Sequence, residues 1–113
     1  MALNNAALTA AGNGLAAAIT HLSIHTAQPD ATGSNQSAAA RQAVTWTNTN
    51  GDLTSGSKNF TGGAASGAAT HVGYWSAATG GTFYGWHALT GDQTFNAAGE
   101  YTITQVTLDA SAS

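Results

Sequence analysis

The sequence predicts a mainly β fold: an antiparallel β-sandwich or flattened barrel with one Ala-rich helix at its N-terminus. Three observations lead there. Beyond residue 20 the apolar side chains change from helical to alternating spacing. The alternating stretches are short and recur at near-regular intervals. Clusters of Gly, Asn, Ser and Asp separate them, which is the turn chemistry that antiparallel strands require. A chain of 113 residues suits one domain, with a helical segment over 1–20, a β-sandwich over 21–108 and a frayed tail over 109–113.

Each element has its own signal. Leu3, Leu8, Leu15 and Ile19 fall on one helical face with alanines between them, and Asn4 or Asn5 supplies the N-cap. Gly12 and Gly14 each cost about 1 kcal/mol against alanine, so the helix is expected to break near them. From His21 to Thr26 the alternation points Leu22 and Ile24 inward and His21, Ser23 and His25 outward. Pro29-Asp30 and Gly33-Ser34-Asn35 mark a polar loop reaching about Ala40. Arg41 to Thr47 reads as a strand with Val44 and Trp46 on one face. Asn50-Gly51 is a strong hairpin turn, and Leu53 to Thr61 is the returning strand.

Gly62 to Ala69 is loop-like. Thr70 to Ser76 alternates again, turns at Ala77–Gly81, and returns over Thr82 to Leu89. Gln93 to Asn96 and Tyr101 to Leu108 complete the β set. In the last stretch Tyr101 and Ile103 share one phase while Val106 and Leu108 share the other, which predicts a bulge near Thr104-Gln105.

Composition narrows the function. Two basic and five acidic side chains make up 6% of the residues, against about 25% in an ordinary soluble domain. Acid–base catalysis, metal chelation and phosphate binding draw on residue types that are scarce here, so no enzyme, cofactor or metal is expected. Two cations cannot neutralise a run of phosphates, which argues against nucleic acid. No apolar run approaches the ~20 residues that span a bilayer, and the N-terminus does not read as a secretory signal. Cysteine is absent, so disulfides are excluded. Much of the apolar fraction is alanine, and neutral strand edges invite pairing; both point to a chain that shares its burial with neighbours.

Few residues stand out as sites. His21 and His25 form an H-x-x-x-H pair that would share a metal on a helix, but on a strand they lie about 13 Å apart. His71 and His87 sit on strands that can pair, which makes a cross-strand histidine contact a candidate. No G-x-S-x-G elbow is present and no Ser/His/Asp set can be singled out. With Val72, Tyr74, Phe83 and Leu89 in the core, Trp75, Tyr84 and Trp86 cluster on the opposite face, as a platform for a partner surface or a sugar ring or as a face that the helix or a neighbouring chain covers, with cover favoured over sugar. Arg41 is a candidate anchor for an interface or a loop, with a solvated or internally paired arginine as the alternative.

Four segments carry a resemblance. His21-Leu-Ser-Ile-His-Thr-Ala-Gln-Pro-Asp-Ala-Thr-Gly33, Arg41-Gln-Ala-Val-Thr-Trp46, Thr70-His-Val-Gly-Tyr-Trp-Ser-Ala77 and Gly80-Gly-Thr-Phe-Tyr-Gly85 resemble small virion proteins of tailed bacteriophages. Those proteins go by the labels tail-fibre, minor-tail or capsid-decoration protein, notably in phages of actinobacteria. The resemblance runs through most of the chain and brings no catalytic residues. It implies a structural protein on the particle exterior. Its partners would be the major capsid or tail proteins and copies of itself, with a host surface glycan as the alternative ligand.

Overall fold

Residues 3–109 are described by a computed structural model, and among them the chain is mainly β. Helix α1 (Asn5–Ala18) precedes β1 (His21–His25), β2 (Gln42–Ala43), β3 (Thr47–Thr49), β4 (Asp52–Thr54) and β5 (Lys58–Phe60). Then follow β6 (His71–Trp75), β7 (Phe83–Ala88), β8 (Tyr101–Ile103) and β9 (Thr107–Asp109). They form three antiparallel sheets, ordered β2-β1-β6-β7, β3-β4-β9 and β5-β8. No barrel closes among the described residues, and the arrangement is sandwich-like. One face of the four-stranded sheet, carrying Leu22, Ile24, Val72 and Tyr74, packs on Phe60, Tyr101, Ile103 and Val106.

Helix α1 runs unbroken through Gly12 and Gly14, contrary to the break that their low propensity predicts. The reason is tertiary. Gly12 is the buried residue of the helix, and a Cβ there would meet the Asn48 side-chain amide at 2.7 Å. That approach lets Asn48 Nδ2 donate to the Thr9 carbonyl at 3.0 Å and to Asn13 Oδ1 at 2.9 Å, while its Oδ1 accepts the Gly51 N–H at 2.9 Å. One asparagine thus ties the helix to the β3–β4 hairpin, and those bonds offset the glycine penalty. At the other end Asn4 Oδ1 accepts the Ala7 N–H at 3.0 Å, a cap in the position the sequence indicates. The expected apolar face is only partly used: Ile19 is buried and Leu15 packs on the core, whereas Leu3 is 41% exposed.

The strands depart from the expected pattern in several places, and the strand expected over Gln93 to Asn96 is reduced to a single bridge between Thr94 and Ala68. In β1 both faces are covered, so Ser23 and His25 are buried instead of facing solvent. The strand expected from Arg41 to Thr47 shrinks to Gln42–Ala43, and beyond it the Trp46 indole packs against the core and donates to the Ile19 carbonyl at 2.8 Å. The strands expected over 53–61 and 101–108 pair with each other as a ribbon of 52–60 against 101–109 that is interrupted on both strands at once. Thr54 pairs with Thr107 and Lys58 with Ile103, so register is kept while three residues on each side leave the ladder. Ser55 bridges the gap, its N–H donating to the Val106 carbonyl at 3.0 Å and its Oγ accepting the Val106 N–H at 2.7 Å. The phase change near Thr104-Gln105 is therefore a matched interruption and not a bulge.

The Asn50-Gly51 turn is where the sequence puts it, with φ of 52° and 92°. Asp109, expected to fray, pairs in β9 with Asp52. A hydrogen bond and the charge of Asp52 raise its pKa above the usual carboxylate value. The remainder of the expected tail, 110–113, lies outside the described residues.

Replacing Asn48 by alanine removes three hydrogen bonds at the helix–hairpin junction and is expected to cost about 1–3 kcal/mol. Urea unfolding measures the loss, and amide exchange should rise across 5–18 more than across β6.

Candidate functional site

The four residues singled out by sequence gather around the outer face of the four-stranded sheet, with unequal exposure. Trp75 is buried at 7%, whereas Tyr84 and Trp86 are 49% and 40% exposed. The pairing of β6 with β7 explains the split. Trp75 stands opposite Phe83 and Tyr74 opposite Gly85, which leaves Tyr84 as an extra, bulged residue. The bulge carries Phe83 to the outer face, where the sequence alternation had assigned it to the core. Phe83 packs on Trp75 with centroids 4.8 Å apart and stacks parallel to Trp86 at 6.5 Å.

Arg41 completes the row. Its guanidinium carbon lies 3.6 Å from the centre of the Trp75 ring, a cation–π geometry. Its Nη1 donates to the carbonyls of Ala77 and Gly80 at 2.9 and 2.8 Å, and Nε and Nη2 donate to Gln36 Oε1. One side chain thereby fixes the β6–β7 turn, the long loop and the indole together. Its planar fork of donors suits that work, and a lysine could not repeat it.

Beneath Trp75 lies a chain of hydrogen bonds that the sequence alone did not reveal. Trp75 Nε1 donates to Ser23 Oγ at 2.8 Å, Ser23 Oγ is 2.6 Å from His25 Nε2, and His25 Nδ1 is 2.8 Å from the Ser34 carbonyl. A carbonyl only accepts and an indole only donates, so the protons are placed: His25 donates from Nδ1 and accepts from the serine hydroxyl at Nε2. The imidazole is neutral in that arrangement, and burial lowers its pKa below the ordinary 6.5. Ser23 and His25 are 0% exposed, and the serine oxygen is already occupied by the indole. The pair resembles the hydroxyl–imidazole contact of an acyl-transfer site, yet its geometry is that of a sealed structural relay.

Gly73 makes room for it. A Cβ at this position would fall 2.5 Å from His25 Nε2, 2.7 Å from Ser23 Oγ and 2.9 Å from Phe83. The bare glycine in mid-strand was the one sequence signal of close packing on this face. His71 faces His25 as its cross-strand partner, whereas His87 is opposite Val72. The histidine pairing is therefore 25 with 71, and the candidate contact between His71 and His87 is not made: they lie on opposite faces of neighbouring strands.

Two hollows flank β7. One of about 190 Å³ lies between Ala31, Phe83, Tyr84, Gly85 and Trp86. The other, a groove of about 600 Å³, runs on the core side of the sheet past His87, Leu89, Asp92, Tyr101, Thr102 and Gln105. Here the sandwich is open, and His87 is exposed on a face that is buried further along the sheet. The Tyr101 hydroxyl donates to the Asp92 carbonyl and holds one wall. No group of three or more His, Cys, Asp or Glu converges among the described residues.

Two outcomes test this reading. Gly73→Ala should destabilise the fold by about 1–3 kcal/mol by forcing His25 and Ser23 apart, measured by urea unfolding. His25 binds its proton less readily folded than unfolded, so below the unfolded value of 6.5 the unfolded chain takes up protons first. Its contribution is thus complete above that pH and is lost on acidification. His25→Gln should lower stability near neutrality and flatten the decline that sets in as pH falls through 6.5.

A protein-family model described as Podophage GP4 fiber I protein gp80 matches residues 2–111. No curated protein matches the chain. The resemblance read from the four motifs agrees with the family match at the level of a phage virion protein of the fibre type. The chain belongs to the Gp80 family, the podophage fibre proteins, and is a fibre-related structural component of the phage particle.

Proposed function

We propose that this protein is a non-enzymatic β-sandwich subunit carried on the outside of the particle and attached to the tail. The observation that carries the reading is the family match across residues 2–111, whose description names a fibre protein. The physical character of the chain supports it. The relay of Ser23, His25 and Trp75 is closed to solvent, and Arg41 is engaged by carbonyls of its own chain. What the surface offers is neutral sheet edge, alanine-rich helix and two exposed aromatics, which are means of packing against neighbours. Tail attachment is preferred to capsid decoration because fibres are tail structures.

A second reading, recognition of a host surface glycan, rests on Tyr84 and Trp86, since Trp75 is covered by Arg41 and Phe83. Mass spectrometry of purified particles should find the protein, and gold-labelled antibody should mark the tail. Label over the head would move the protein to capsid decoration, and particles lacking it would overturn the structural role altogether.

A further inference from the structure

We propose that the outer edge of β7 is a contact between two copies of this chain, joined strand to strand about a two-fold axis. The inference rests on the assembly reading above, but the purified protein tests it without the particle. At six residues β7 is the longest strand among those described, and it ends the order β2-β1-β6-β7 with no strand on its far side. From Gly81 to Gly91 the sequence has no Asp, Glu, Lys, Arg or Pro. Edge strands are ordinarily protected by charge, proline, shortness or a bulge, and here only the bulge at Tyr84 is used. The regular stretch beyond it, from Gly85 to Ala88, lies open.

The direction of its backbone groups follows from the ladder. The Leu89 N–H donates to the Thr70 carbonyl at 2.9 Å, so the Leu89 N–H is directed at β6. Alternation then turns His87 toward β6, and points the N–H and C=O groups of Trp86 and Ala88 outward. A two-fold axis through His87 places Trp86 opposite Ala88 of the second copy. Each can exchange N–H and C=O bonds with the other, in both directions. The same register sets Gly85 opposite Leu89 of the second copy. On the outer face a large residue therefore meets a small one, and on the other face Gly85 meets Leu89 while His87 stands beside its own image at the axis.

This match of the segment to itself is the ground for choosing a second copy over an unrelated partner. An edge without Asp, Glu, Lys or Arg meets its own image without repulsion between such charges, and antiparallel pairing is self-complementary under a two-fold. The product is one continuous sheet across two subunits, with Trp86 covered by its neighbour.

Sedimentation velocity of the full chain from about 1 µM to about 100 µM decides it. The wild type should associate as concentration rises. Ala88→Glu sets a carboxylate against the indole of the second copy, and Ala88→Pro removes an outward N–H that the β6 ladder does not use. Each should raise the dissociation constant at least about tenfold while retaining the wild-type circular dichroism. Trp86→Ala, at an exposed site, should weaken association in the same direction and serves if either Ala88 variant misfolds. A chain that stays monomeric throughout overturns the proposal, as does association that all three variants leave unchanged. A monomer whose tryptophan fluorescence responds to cell-wall saccharide, and stops doing so in Trp86→Ala, assigns the aromatics to a glycan and overturns it too. None of these failures bears on membership of the particle, which mass spectrometry tests separately.

Discussion

Trp75 is the side chain on which the outer half of this structure depends. Its N–H donates to Ser23, its ring carries Arg41 on one side, and Phe83 packs against it. Through Ser23 it orders the proton on His25, and through Arg41 it reaches the turn at Ala77–Gly80 and the loop at Gln36. Strand β1, strand β6, the long loop and the β6–β7 turn are thus secured at one place. Gly73 supplies the vacancy that makes this possible, and any side chain there would displace the relay.

Neutral hydrogen bonds do throughout this molecule what ion pairs do in many others. Asn48 clasps the helix, Ser55 spans the gap between sheets, and the Tyr101 hydroxyl pins a loop to its carbonyl. No buried side-chain nitrogen or oxygen among the described residues lacks a hydrogen-bond partner. A buried neutral group with a partner avoids the desolvation cost that a buried charge would carry. Such an interior fits a chain with two basic and five acidic side chains, and it leaves a surface with little to repel a neighbour.

Much of the fold was legible in the chain. The Asn4 cap, the Asn50-Gly51 hairpin, the strand at His71–Trp75 and its return at Phe83–Ala88 were read from local chemistry, because caps, tight turns and alternation are local. The site was less legible. Trp75, Tyr84, Trp86 and Arg41 were singled out as chemically unusual, but their division into buried and exposed was not visible. It follows from a single bulged residue, whose effect is to invert the facing of Phe83. Ser23 and His25 looked like solvent-facing positions because an alternating strand is ordinarily wet on one side. Nothing within the strand records that a loop returns to cover it.

Sequence by itself determined the mainly β class, the N-terminal helix, the positions of the turns, the scarcity of charge and the kinship with phage virion proteins. These follow from short-range backbone preferences, from composition, and from motifs that can be read in order along the chain. Only the tertiary structure decided that Gly12 is an anchor point for Asn48 and not a break, and that the ribbon of 52–60 against 101–109 divides between two sheets in unchanged register. It alone decided that Arg41 rests on Trp75 and that β7 ends a sheet with its edge uncovered. Each of these rests on contacts between residues far apart in the chain, and propensity and alternation carry no term for who arrives on the other side.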